Sequence, residues 1–218
     1  SQNYICHLAV YKKSLIDSLG GLRLGTEGAQ DYDLILRASE KTKNIIHIPH
    51  VLYHWRAVSG STALSSDQKK YAHQRSEDVV KDALVRRSLS ATVLDTGFGA
   101  YHRVRYMLPD RSPLVSIIIP TRDRIDLLSK CIDGLLNQTE YPALEIIIVD
   151  NNSQEPETHA YFESIGGDTV RVIPFNSDFN FSAINNFAVA KSKGEIIVLL
   201  NNDVEIIHSD WLVELVSQ

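Results

Sequence analysis

The feature that most constrains the fold is a set of four short apolar runs spaced along residues 114–218. They are Leu114–Ile119, Glu145–Val149, Val170–Ile173 and Glu195–Leu200. Apolar residues stand at successive rather than alternate positions in these runs, which is the pattern of strands buried on both faces. Amphipathic helices lie between them. Leu128, Cys131, Ile132, Leu135 and Leu136 fall at helical spacing after Ile125. Pro156 suits a first helical turn, and Tyr161, Phe162 and Ile165 give a stripe before Gly166-Gly167. A third helix is expected over Ser182–Lys193, closed by Gly194. Alternating strands and helices of this kind predict an α/β fold, a mostly parallel sheet with helices on both faces.

The first half is less regular. Lys12–Leu19 and Asp31–Lys41 read as helices and Ile45–Ile48 as a strand. Ala72, Val79, Val80, Ala83 and Leu84 make one face of a helix between Asp67 and Arg87. Thr92–Leu94 and Tyr101–Met107 flank DTGFGA as a hairpin would. The segment PDRSP at 109–113, with two prolines and two charges, suits a boundary. Three parts are therefore expected: 1–65, a helix-and-hairpin connector at 66–113, and 114–218.

Composition closes off several classes. The chain has 44% hydrophobic and 22% charged residues, which is ordinary for a globular protein. No apolar run approaches the roughly 20 residues of a spanning helix. SQNYICHLAV has neither a basic start nor a sustained apolar core, so no signal peptide is expected. Cys6 and Cys131 share no motif spacing and read as buried thiols, the cytoplasmic pattern. Net charge is +5 over residues 1–108 and −10 over 109–218, two solvated surfaces of opposite sign. No dense basic cluster with interleaved aromatics appears, so nucleic acid is not an expected partner. With no initiator Met, and with WLVELVSQ stopping inside a helical pattern, a segment of a longer protein is expected.

Open parallel sheets bind ligands beyond the carboxyl ends of their strands. Here those ends read Pro120-Thr121-Arg122-Asp123, Asp150-Asn151-Asn152-Ser153 and Asn201-Asn202-Asp203. The glycine pattern of dinucleotide sites is missing. Gly20 and Gly25 have phosphate-loop spacing, but Thr26-Glu27 follow where Lys and Ser or Thr are required. A carboxylate with neighbouring amide oxygens suits a hard divalent cation; the same residues also favour a plain polar turn.

Together, VSIIIPTRDR, EIIIVDNNS, FNFSAINNFAVAKSKGEIIVLLNND and GAQDYDLILR resemble the family-two inverting glycosyltransferases, which have the GT-A fold. The resemblance covers the chain apart from the 66–112 region. It implies that Asn201-Asn202-Asp203 stands for the family's Asp-x-Asp motif, with Asp203 binding Mn²⁺ or Mg²⁺ and through it the diphosphate of a nucleotide-sugar. It implies that Pro120, Thr121 and Arg122 line the nucleotide pocket, that Asp150 meets a uracil or thymine base, and that Asn186 lines the donor site. Two departures stand out: Asn201 replaces the first Asp of the metal motif, and Asn151-Asn152 replace the commoner Asp-Gly.

In the first half, Gln30-Asp31 resembles the Glu-Asp motif that carries the catalytic base. Asp31 shares a helix face with Leu34, Ile35 and Ala38, so it is expected to point inward. Asp33, about 200° around the axis, is expected in a surface ion pair with Arg37. His47, His50 and His54 invite a zinc reading, which Pro49 disrupts by breaking their spacing. LYHWRAVSGSTA resembles the family's segment near the acceptor, which makes His54 a candidate metal ligand and Trp55 a candidate for packing on sugar.

The base motif precedes the metal motif, the reverse of the family order. The resemblance then implies a window across two tandem domains of a polysaccharide- or rhamnose-transferring enzyme of the bacterial cell envelope: an acceptor-side half, a connector, and the next donor half. Reversed halves could instead meet within one chain, or between chains as a swapped dimer. The implied partners are a nucleotide-diphosphate sugar and a saccharide or glycolipid acceptor. The implied place is the cytoplasm or the inner face of the cytoplasmic membrane. Two rivals remain, a non-catalytic carbohydrate-binding or assembly module and a sugar nucleotidyltransferase, although the latter's Gly-rich loop is replaced by PTRDR.

Overall fold

The computed structural model describes residues 2–5, 8–54, 70–97 and 101–218. The chain divides into two compact units, Ser1–Met107 and Leu108–Gln218.

In the first unit, helices α1 (Lys13–Leu19), α2 (Gln30–Lys41) and α3 (Lys70–Arg86) precede two strands, β1 (Ala91–Asp95) and β2 (His102–Tyr106). β1 and β2 pair antiparallel, with Val93 opposite Val104. Ala29, Tyr32, Val79, Val80 and Leu84 are buried together, and Val93 and Val104 pack on them. The long helix and the hairpin therefore share a core with the start of α2.

α2 is polar as well as apolar on its buried side. Asp33 is fully buried and Arg37 nearly so, which reverses the expectation of a surface pair. Arg37 donates to Asp33 at 2.8 Å and to the carbonyls of Leu19 and Gly21, each at 2.8 Å. Arg23 also donates to Asp33 and reaches Asp82 at 2.9 Å. Burial works against the Asp33 carboxylate, but the Arg23 and Arg37 guanidinium groups outweigh it and hold the carboxyl below its usual range. A charge can be buried when it is paired and hydrogen-bonded in this way, and here the pairing also ties the end of α1 to α2. Asp31, expected to be the inward carboxylate, is only half-buried and accepts from Asn3 Nδ2 at 3.0 Å.

The strand expected at Ile45–Ile48 is absent. Ile45, Ile46 and Ile48 are 60%, 79% and 59% exposed. A strand needs a neighbour for its N–H and C=O groups, and no described strand of this unit lies alongside.

The second unit holds β3 (Val115–Thr121), α4 (Ile125–Asn137), β4 (Leu144–Asp150), α5 (Pro156–Ile165), β5 (Val170–Pro174), α6 (Phe181–Val189), β6 (Ile196–Leu199) and α7 (Trp211–Val216). All pairings are parallel, in the order β5-β4-β3-β6. Ile117, Ile119, Ile146 and Ile148 face one side with Leu128, Ile132 and Leu135 of α4. Ile118, Ile147 and Val149 face the other, against Ile184 and Ala188 of α6. The α/β architecture with both faces of the sheet covered is the one the apolar runs predict.

α6 stops four residues before the expected end. The N–H groups of Lys191 and Ser192 turn back to Ala188 and Val189. Those of Lys193 and Gly194 donate instead to Glu145 Oε1 (2.5 Å) and Ser116 Oγ (2.8 Å). Ser116 in turn donates to Glu145 at 2.6 Å, and Arg171 donates to the other Glu145 oxygen at 3.0 Å. This buried polar knot joins β3, β4, β5 and the entry to β6 at the amino ends of the strands.

The knot leaves no room at Gly194, where an added Cβ would lie 2.5 Å from Ser116 Oγ and 2.8 Å from the Leu114 carbonyl. Gly194→Ala should therefore destabilise the chain by about 1–3 kcal/mol in a denaturant melt. Gly167→Ala, with nothing within 4 Å of the new Cβ, should change it by less than about 0.5 kcal/mol. Asp33→Ala, which strands buried Arg37, should cost about 3–5 kcal/mol. Asp31→Ala in the same melt should cost far less, and equal losses at the two positions would contradict the assignment of Asp33 as the structural anion.

Candidate functional site

After β5 the chain crosses back over the sheet, so that β6 pairs with β3 on the side opposite β4. The carboxyl ends of β3 and β6 thus flank a topological switch point, where open α/β sheets place their ligand crevice. Three polar segments converge there. Thr121 ends β3 and is in register with Asp150 at the end of β4. Leu200 continues the pairing by donating to Ile118 O at 2.9 Å, which delivers Asn201-Asn202-Asp203 to the same rim.

Direct hydrogen bonds join the segments. Asn202 Nδ2 donates to Thr121 Oγ1 at 2.9 Å, across the switch point. Asn151 N–H donates to Thr121 O at 2.9 Å. Cys131 of α4 is buried, as expected, and its thiol donates to the Asn201 carbonyl at 3.8 Å. Burial pushes that thiol's pKa up, so it is a packing group and a weak donor rather than a nucleophile.

The β4–α5 loop gives the departure at Asn151-Asn152 a physical reason. Asn151 is buried and donates through Nδ2 to the carbonyls of Phe175 (3.1 Å) and Ser177 (2.8 Å). Asn152 adopts a left-handed φ of 59°, which Asn tolerates better than most residues, and also donates to Ser177 O. The pair anchors the loop leading into α6. Asp150 is half-buried, and its Oδ1 accepts the Ser153 N–H at 2.9 Å.

The candidate residues fall in both units. Thr121 is buried; Pro120 and Asn202 are half-buried; Arg122, Asn201 and Asp203 are exposed. Asn186 is exposed on α6, whereas its neighbour Asn185 is buried, donates to Phe181 O at 2.7 Å, and has a buried Oδ1 with no hydrogen-bond partner among the described residues. Asn185 follows Ile184 and precedes Ala188 on the helical period, the signal that places it inside. Asp31 and His54 belong to the first unit, with His54 exposed. Trp55 and Cys6 lie outside the described residues. Among the described residues no group of three or more His, Cys, Asp and Glu side chains is gathered as a metal site, and no helix is long and apolar enough to cross a membrane.

Asp123 is a residue that reasoning on the sequence left without a role. Its N–H donates to Ser153 Oγ, and its carboxylate accepts from the N–H groups of Gln154 and Glu155.

Known proteins resemble the chain in both halves. It is 42% identical over 219 residues to an uncharacterized protein, y4gI, of Sinorhizobium fredii, covering 99% of this chain and 24% of that protein. It is 40% identical over 218 residues to the O-antigen biosynthesis protein RfbC of Myxococcus xanthus, covering 100% and 17%. The chain therefore spans a quarter or less of these relatives' length, and both halves align in the order found here. Among solved structures, the mannosyltransferase PcManGT from Pyrobaculum calidifontis, in complex with GDP-Man and Mn²⁺, matches with a TM-score of 0.45 at 20% identity, over 70% of this chain and 42% of that one. The profile of glycosyl transferase family 2 matches residues 116–218. Residues 116–218 of this chain, which carry the sheet and the crevice at its switch point, belong to glycosyl transferase family 2.

Proposed function

We propose that the chain is a piece of an inverting glycosyltransferase of polysaccharide biosynthesis. Its substrates are a nucleotide-diphosphate sugar and a saccharide or glycolipid hydroxyl. The observation that carries this reading is the Asn202–Thr121 bond across the switch point, which holds the Asn201–Asp203 segment beside the ends of β3 and β4. Family membership of residues 116–218, and the likeness of this whole chain to 17% of an O-antigen biosynthesis protein, support it.

Asp150 keeps Oδ1 on Ser153 and offers its other oxygen to a base N–H, which suits the single imide donor of uracil or thymine. Pro120 and Thr121 wall the nucleotide, Arg122 lies exposed beside them, and Asn186 extends the donor site along α6. Asp203 would hold Mn²⁺ or Mg²⁺, with Asn201 and Asn202 beside it. One exposed carboxylate and two amides fit a hard cation only when the donor's diphosphate and water supply the remaining oxygens. When bound, the ion neutralises charge on the departing diphosphate.

Asp31 is the proton acceptor of the domain to which residues 1–65 belong, a different domain from the one whose donor half is residues 114–218. As the acceptor hydroxyl attacks the anomeric carbon, its proton passes to the Asp31 carboxylate while the bond from that carbon to the diphosphate breaks. Asp33 is unsuited to the task, because Arg23 and Arg37 already engage it. His54 as a metal ligand and Trp55 as an acceptor contact belong to the same reading.

Residues 1–65 are then the acceptor-side half of one domain, 66–113 a connector and 114–218 the donor half of the next. The collinear match to relatives several times longer supports this arrangement over a swapped dimer. The enzyme works in the cytoplasm or at the inner face of the cytoplasmic membrane. The lone carboxylate of the Asn201–Asp203 motif favours a second reading, a non-catalytic module that binds glycan without metal.

The assignment of Asp31 is tested by a transfer assay on the protein that contains this chain. Asp31→Asn should lower kcat by about 100-fold or more and leave donor KM unchanged. An unchanged kcat would remove Asp31 from the role.

A further inference from the structure

We propose that Asp123 is a positioning residue of the donor site, fixing the Asp150 carboxylate relative to Arg122 and thereby setting discrimination among nucleobases. The proposal rests on the donor-site reading above and goes beyond it, because Asp123 contacts no substrate in that reading.

The argument starts from the backbone. Asp123 and Arg124 have φ of 53° and 58°, two successive non-glycine residues in the left-handed region. That conformation is unfavourable for most L-residues, and Asp is among the few that tolerate it. It turns the chain sharply after β3 and sends both the backbone N–H and the carboxylate of Asp123 toward the neighbouring loop. The N–H donates to Ser153 Oγ at 2.8 Å. Carboxylate Oδ1 accepts the N–H groups of Gln154 at 2.7 Å and Glu155 at 2.9 Å.

Those two amides lead into α5, and at the start of a helix such groups have no partner within it. The Asp123 carboxylate therefore satisfies them from the loop after the adjacent strand β3, a long-range equivalent of an N-cap. The N–H groups of Glu155 and then Gln154 hold its carboxyl below the usual carboxylate range, so it stays an acceptor at neutral pH.

Ser153 completes the linkage. It accepts from Asp123 through Oγ, and its own N–H donates to Asp150 Oδ1 at 2.9 Å. Asp123 thus reaches Asp150 through one intervening residue, while its preceding neighbour in sequence is Arg122. The register of Thr121 with Asp150 fixes the two strand ends; this three-point clasp fixes the loops beyond them, where the candidate base contacts sit. A shift of one loop would leave the fold intact and misplace the carboxylate against the base.

The test uses the full chain, calorimetric titration with Mn²⁺ present, and four probes: uridine, thymidine, guanosine and cytidine diphosphates. Asp123→Asn retains a side-chain oxygen and tolerates the left-handed backbone. It should bind the preferred nucleotide within about threefold of wild type. Asp123→Gly keeps the backbone freedom and removes the acceptor. It should weaken the preferred nucleotide by about tenfold and shrink its advantage over cytidine diphosphate, with the thermal midpoint within a few degrees of wild type. Amide hydrogen exchange at Gln154 and Glu155 should speed up in Asp123→Gly and return toward wild type in Asp123→Asn.

Unchanged affinity and unchanged base discrimination in Asp123→Gly would overturn the positioning role alone. A parallel loss for every nucleotide, with discrimination preserved, would also overturn it and leave a purely structural clasp. Failure of the wild-type chain to bind any of the four would overturn the donor-site reading, and this proposal with it.

Discussion

A strand with apolar side chains on both faces must be paired along both edges and covered above and below, and β3 meets that requirement. β4 pairs along its full length, β6 along its first half, and the cores under α4 and α6 cover its two faces. Its two ends do different work. At the amino end, Ser116 enters the buried knot with Glu145, Arg171 and the Lys193-Gly194 backbone, which fixes where β6 begins. At the carboxyl end, Thr121 accepts from Asn202 and thereby fixes where β6 delivers its polar residues. The geometry of the crevice is a consequence of a strand held from both ends.

Much of the second unit was legible in the sequence because its strands are continuous apolar runs and its helices have clear stripes. What was not legible depended on partners far along the chain. α6 was expected to run to Lys193, but Glu145 and Ser116 take the amides that would have continued it. In the first unit, periodicity put Asp31 inside and Asp33 outside. Arg23 and the Leu19 and Gly21 carbonyls, none of them visible to a helical wheel, reverse that order by making burial of the Asp33–Arg37 pair affordable. The run at Ile45–Ile48 has strand composition but no described strand beside it. Asn151-Asn152 looked like a departure from a motif and proved to be an anchor for the β5–α6 loop.

The same contrast separates the two candidate carboxylates of α2. The one with strong cationic partners is structural, and the other, half-buried with one amide donor among the described residues, is the one proposed as proton acceptor. Asp123 extends this distinction to the donor side, since its partners are backbone amides and its influence passes through loop position. The crevice therefore combines exposed groups that can meet a ligand, Arg122 and Asp203, with buried groups that hold the loops in place, Thr121, Asn151 and Ser153.

The claim on which the functional account depends is that the rim beside β3 and β6 binds a nucleotide diphosphate through a cation held by Asp203. Calorimetric titration of the chain with uridine diphosphate, with and without Mn²⁺, in wild type and in Asp203→Ala, tests it directly. The account predicts binding that requires Mn²⁺ and is lost in Asp203→Ala while the thermal midpoint stays unchanged. Metal-dependent binding of equal strength in Asp203→Ala would contradict it.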